Sequence, residues 1–277
     1  MQRLQLLLLH TLLFALLFSC ASPPEYQLDQ RMVRLLPVSD ASVAYDDYSV
    51  RVSQGSMASV WNGRVDWELY EPELDTGSVP VVIGHGFMRS LERMRGWAEL
   101  LASRGIPATV ISFSNSSWFG GNHDRNADDM RLVADTLFGG TRAYMGFSAG
   151  GLSALLAAAA DPLAWAYVGL DPVDSGGLAA AAIATLRTRN IHHEVLLAEP
   201  SACNAQSNML DALSTAGLSF VMVDGSTHCH FEHPYDPNCE ALCGRSVPSE
   251  LQDVLVARIR AYVVQIFGQW NRENDLS

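Results

Sequence analysis

A chain of 277 residues with 48% hydrophobic content is long enough to bury one substantial core, and a single α/β domain of that size is ordinary. Its formal net charge of -12 leaves no basic stripe to neutralise phosphates, which excludes nucleic acid as a partner.

In chain order, Met1 to Phe18 carries Arg3 and then the apolar run LQLLLLHTLLFALLF, too short and too N-terminal for a membrane span and suited to a secretory signal. The run ends in Leu17-Phe18-Ser19-Cys20, which resembles the bacterial lipobox. That likeness implies that Cys20 opens the mature chain and carries lipid. Phe18 stands where a small residue is usual, so plain signal cleavage is the alternative. In either reading the protein is exported, to a membrane, the periplasm or the exterior, and lipid on Cys20 is the only membrane attachment expected. Residues 1–19 are therefore set aside as a signal, 20–46 read as a polar, proline-containing tether leading into the fold, and 47–277 as one domain.

Tyr48 to Tyr70 alternates apolar and polar residues around Gly55 and Asn62-Gly63, the mark of an antiparallel hairpin or two. From Val79 short apolar runs alternate with helical stretches: VPVVIGHG then Leu91 to Ser103, IPATVISF then Asn126 to Phe138, TRAYMGFS then Leu152 to Ala160. The alternation continues with WAYVGLDP, a helical Leu178 to Arg187, HHEVLLAEP, a helical Asn208 to Thr215, and LSFVMVDGS. Ser249 to Trp270 closes the chain with the apolar spacing of an amphipathic helix, through Leu251, Val254, Leu255, Ile259, Tyr262, Val263 and Ile266. Strict alternation of this kind predicts an α/β fold with a mostly parallel sheet covered on both faces. No repeat or low-complexity linker divides it.

Within the third of these strand-to-helix steps, Gly146-Phe147-Ser148-Ala149-Gly150 fits Gly-x-Ser-x-Gly, a sharp turn that holds a serine exposed. Glycine is needed on both sides because a side chain there would collide with neighbouring backbone. The pattern alone is weak; a preceding strand and an alanine-rich helix start supply the context it requires. The elbow, GHGFMRS at Gly84 to Ser90, LDPVD at Leu170 to Asp174 and a late histidine together resemble the α/β-hydrolase fold over nearly all of the mature chain. They look most like chlorophyllases and related bacterial ester hydrolases, including those similar to cutinases and platelet-activating-factor acetylhydrolases. The segment 173–190 is short, which leaves no room for a large cap domain.

In that fold the catalytic order is serine, acid, histidine. Ser148 is the candidate nucleophile and needs a base, since an unassisted hydroxyl is a poor one. His228 is the candidate base, first after the last strand in STHCHFEHP, with His230 in reserve. The LDPVD resemblance favours Asp171 as the acid; Glu199, at the end of the next strand, is the alternative, and Asp174 is a third candidate that suits a helix cap. Oxyanion donors are expected at the backbone N–H of Ala149 by geometry and of Phe87 by resemblance, with His85 bonding within its loop. Trp118 and Phe119 are candidates for an apolar substrate wall, or else pack under their loop, and Met88 is a candidate for the same cleft.

Four cysteines remain beyond Cys20. Joining Cys203 to Cys229 would tie together two loops at the site, and joining Cys239 to Cys243 would close a short loop, so those pairings are expected. A zinc site among His228, His230, Glu232, His233 and the cysteines is set aside, because the spacing matches no ligand pattern and oxidised cysteines offer no thiolate; no metal or cofactor is expected. The expected activity is hydrolysis of carboxylic esters, small or polymeric, through an acyl-enzyme. A non-catalytic surface module, or an amidase or peptidase with the same triad, stands as the alternative.

Overall fold

The domain begins as an antiparallel hairpin of β1 (Val50–Ala58) and β2 (Arg64–Pro72), in register from Val50↔Pro72 to Ala58↔Arg64. There is one hairpin rather than two. The turn lies at Asn62 and Gly63, both at positive φ, while Gly55 sits mid-strand opposite Trp67, where a Cβ would stand 2.4 Å from the indole. The computed structural model describes residues 47–117, 120–243 and 247–275. The signal segment, Cys20, the tether, Trp118 and Phe119 lie outside the described residues.

Six further strands of the same sheet follow: β3 (Val81–Gly84), β4 (Ala108–Ile111), β5 (Arg142–Phe147), β6 (Ala164–Leu170), β7 (His192–Leu197) and β8 (Val221–Met222). The 8-stranded sheet has the order β1-β2-β4-β3-β5-β6-β7-β8. Within this sheet only the β1–β2 and β2–β4 pairings are antiparallel. Every residue of β3, β4 and β5 is buried, which is why these strands read as continuous apolar runs rather than alternating ones.

The helices are α1 (Arg95–Ser103), α2 (His123–Leu137), α3 (Ala149–Ala160), α4 (Ala179–Thr188), α5 (Met209–Ala216), α6 (Pro237–Cys243) and α7 (Ser249–Asp275), with 3-10 turns at Leu91–Arg93 and His228–Phe231. Helix α3 is buried around most of its circumference, so it is built from alanine, glycine and leucine rather than an amphipathic pattern. Along α7, Leu255, Ile259, Val263 and Phe267 recur every fourth residue and are buried, whereas Leu251 and Val254 are exposed. Among the described residues no helix is long and apolar enough to cross a membrane.

Parallel strands put their carboxyl ends at one edge of the sheet, and the loops there bring distant residues together. The loop after β3, the β5–α3 turn, and the segments after β6, β7 and β8 meet at that edge.

Candidate active site

Ser148 lies between β5 and α3 with φ 56° and ψ -123°, a conformation non-glycine residues seldom adopt. Close packing, not torsion, demands the flanking glycines. A Cβ on Gly146 would stand 2.2 Å from the Gly150 carbonyl oxygen, and one on Gly150 would stand 2.3 Å from that of His85. The strained turn is held by the Ser148 N–H, which donates to Leu170 O at 3.0 Å, and by its carbonyl, which accepts from Gly151 N at 2.9 Å.

The structure brings Ser148, His228 and Asp171 into one hydrogen-bonded line. His228 Nε2 is 2.9 Å from Ser148 Oγ, and its Nδ1 is 2.5 Å from Asp171 Oδ2. All three are buried, and the imidazole packs on Phe147 with centroids 4.6 Å apart. With the proton on Nδ1 held by the carboxylate, Nε2 is left to accept from the serine hydroxyl.

Asp171 is itself constrained from several sides. Its Oδ1 accepts from Ala198 N at 2.9 Å and its Oδ2 from Asn204 Nδ2 at 3.1 Å. Asn204 also donates to Glu199 O, and its Oδ1 accepts from Ser201 N and Ser207 N, so the amide is locked in one orientation. Nothing in the sequence singled Asn204 out; only a reading that asked which donors must satisfy a buried carboxylate could have sought it.

The other candidates are placed elsewhere. Glu199, at the end of β7, turns its Oε1 to Gly225 N at 2.7 Å. Asp174 accepts from Leu178 N and Ala179 N at the start of α4, a helix cap. His230 Nδ1 accepts from Thr227 N at 2.8 Å and its ring stacks on Tyr235; burial holds its pKa below the usual imidazole value. His233 packs edge-on to Trp97, and burial pushes its pKa down to about 4. His85 Nδ1 donates to Gly86 O at 2.8 Å while Nε2 accepts from Phe113 N, which fixes its loop. Burial likewise lowers its pKa.

Phe87 and Ala149 line a pocket of about 550 Å³ together with His123, Asp124 and Ser175. Among the described residues neither Phe87 N–H nor Ala149 N–H donates to another backbone group. The first residue of a helix has no intrahelical acceptor, so the Ala149 donor is left over by the architecture of α3. Burial lowers the pKa of His123, and the neighbouring Ala149 backbone opposes that shift. His123 precedes Ser148 in the chain, so the serine, acid, histidine order points away from it. Met88 is half exposed at φ 56° and is not among the residues lining this pocket.

The cysteine pairing differs from expectation: Cys203 bonds Cys243, and Cys229 bonds Cys239. Helix α6 is the reason. It sets Cys239 and Cys243 one turn apart on the same face, and residues so related keep their Cβ atoms about 5–6 Å apart, wider than the 3.5–4.5 Å or so a disulfide spans. Each instead reaches across to a loop of the site. The sulfurs of Cys229, Cys239 and Cys243 converge, but all are bonded in disulfides rather than free as thiolates.

No protein-family model and no curated protein matches the chain. Among solved structures it is similar to a ferulic acid esterase from Streptomyces cinnamoneus, at 17% identity and a TM-score of 0.56, over 84% of this chain and 93% of that one. The likeness establishes the α/β-hydrolase fold. Because 954 solved chains match, the fold by itself selects no substrate.

Proposed function

We propose that the protein is a serine hydrolase of carboxylic esters. The observation that carries the reading is the unbroken line from Ser148 Oγ through the His228 ring to the Asp171 carboxylate. In this mechanism Ser148 Oγ attacks the ester carbonyl carbon as its proton passes to His228 Nε2, and Asp171 stabilises the imidazolium. The carbonyl oxygen becomes an oxyanion facing the N–H groups of Phe87 and Ala149. Collapse expels the alcohol, which takes the proton from Nε2 and leaves an acyl-serine. Water then attacks the acyl carbon, giving its proton to the same nitrogen, and the acid departs as Ser148 regains its hydrogen.

The geometry of proton return also orients the substrate. His228 must reach the leaving oxygen, so the alcohol lies on the histidine side. The acyl group then extends into the pocket lined by Phe87, Ala149 and His123, which contains no residue of the histidine loop. Disulfides at the site accord with an exported enzyme working in an oxidising compartment. Esters of ferulic acid, named by the structural neighbour, join short-chain esters as substrates to test.

The test is release of p-nitrophenol from short-chain p-nitrophenyl esters by wild type and by Ser148→Ala, with a fluorophosphonate probe to trap the serine. Turnover and labelling that both vanish in the variant support the reading. Equal turnover in the two proteins would end it.

A further inference from the structure

The oxyanion loop and the histidine loop come from opposite ends of the domain, and a buried ion pair joins them. Arg89, two residues after Phe87, places its Nε 2.7 Å from Glu232 Oε1, just beyond the His228–Phe231 turn. The Glu232 side chain is completely buried, and among the described residues no donor is aligned on either oxygen as a directed hydrogen bond; burial raises its pKa, and the Arg89 and Arg93 charges oppose that rise. A lone buried carboxylate is strongly disfavoured, and among the described residues Arg89 is the cation within ion-pair distance of it. Asp236 extends the cluster, with Arg93 Nη2 at 3.1 Å and Arg89 Nη1 at 3.6 Å from its Oδ2.

Backbone contacts run beside the charges. His233 N donates to Arg93 O, Gly96 N to His233 O, and Trp97 Nε1 to Phe231 O. On the oxyanion side, Arg89 N donates to Gly86 O at 3.2 Å across a turn in which Met88 is left-handed, at φ 56°. A side-chain-bearing residue avoids that region, so the loop needs an outside restraint to stay there. The Arg89 guanidinium, anchored in the facing loop, supplies one.

Resting on the hydrolase reading, we propose that the Arg89–Glu232 ion pair is a positioning device that holds the Phe87 N–H in register with His228. The reaction requires a donor aimed at the developing oxyanion while the imidazole takes the serine proton, so drift between the two loops weakens transition-state binding and leaves ground-state binding largely intact. Neither residue touches the reacting atoms. Both act through the loops that carry those which do.

The experiment is steady-state hydrolysis of p-nitrophenyl butyrate by wild type, Glu232→Gln, Arg89→Gln, the double variant and Arg89→Lys, each checked by thermal melting. Each single neutralisation is expected to lower kcat about tenfold with KM changed less than about twofold. The double variant should be no worse than the poorer single, since one interaction is being removed, and Arg89→Lys should recover part of the loss. Wild-type kcat in the variants, losses that multiply in the double, or losses confined to KM would overturn the proposal. If a single variant does not fold, the double variant, neutral on both sides, decides: wild-type kcat in it refutes the device. Wild type without Ser148-dependent turnover would instead remove the hydrolase reading and the device with it.

Discussion

Converting Asp171 to asparagine probes the site most sharply. Its Oδ1 accepts a backbone N–H, that of Ala198, and a main-chain donor cannot reverse its polarity. The new carboxamide must therefore keep its oxygen there and present its NH2 where Oδ2 now meets Asn204 Nδ2 and His228 Nδ1. Donor then faces donor, and only the imidazole can adapt, by moving its proton to Nε2. That proton points at Ser148 Oγ, and the ring can no longer serve as a base. The expected loss in kcat is on the order of 10⁴, or about 5.4 kcal/mol of activation free energy. Stability should fall far less, by about 1 kcal/mol, because Asn204 keeps its bond to Glu199 O. The assay is p-nitrophenyl ester turnover across pH 6 to 9 or so, with a thermal melt showing an intact fold. Activity of Asp171→Asn within about tenfold of wild type would refute the assignment. A large loss in Glu199→Gln instead would move the acid to the neighbouring strand end.

Gly150→Ala should be destabilised by about 2–3 kcal/mol and lose turnover, since its methyl would press on the carbonyls of Gly84 and His85; a melt matching wild type would contradict the packing. A non-reducing peptide map should find Cys203 with Cys243. By loop-closure entropy the two disulfides contribute about 4 and 3 kcal/mol, so reduction should lower both the melting temperature and activity. His233 is neutral in the folded state, with its pKa lowered from 6.5 to about 4, so the unfolded chain binds its proton first as pH falls. Native stability should therefore decline between those two values and be fully present above them. In His233→Asn the slope of melting temperature against pH across that window should flatten, and an unchanged slope would show that another group is responsible.

The serine elbow was legible because steric demand forces its residue types: Gly146 and Gly150 admit nothing larger, and the flanking strand and helix are long enough to show their periods. The buried strands were legible for a related reason, since a sheet covered on both faces leaves uninterrupted apolar runs. The proposed acid could not be picked by residue type, because Asp171 and Glu199 both follow strand ends and only the hydrogen bonds around them tell the two apart. Asn204 left no trace, as its contribution lies in hydrogen bonds made by the folding of its loop. The cysteine pairing was missed because α6 is short, begins at a proline and carries no clear amphipathic period, so the geometry it imposes on Cys239 and Cys243 could not be foreseen.

Phe147 pairs with Leu170 across β5 and β6, and the next residue on each strand is Ser148 on one and Asp171 on the other. Two members of the constellation thus step off adjoining rails at the same height, separated by a gauge that hydrogen bonding between strands fixes at about 4.8 Å. Lengthening the loop around residues 174–178, which lines the pocket, can reshape what is grasped without disturbing that gauge, whereas a one-residue slip of β5 against β6 would undo the pairing outright.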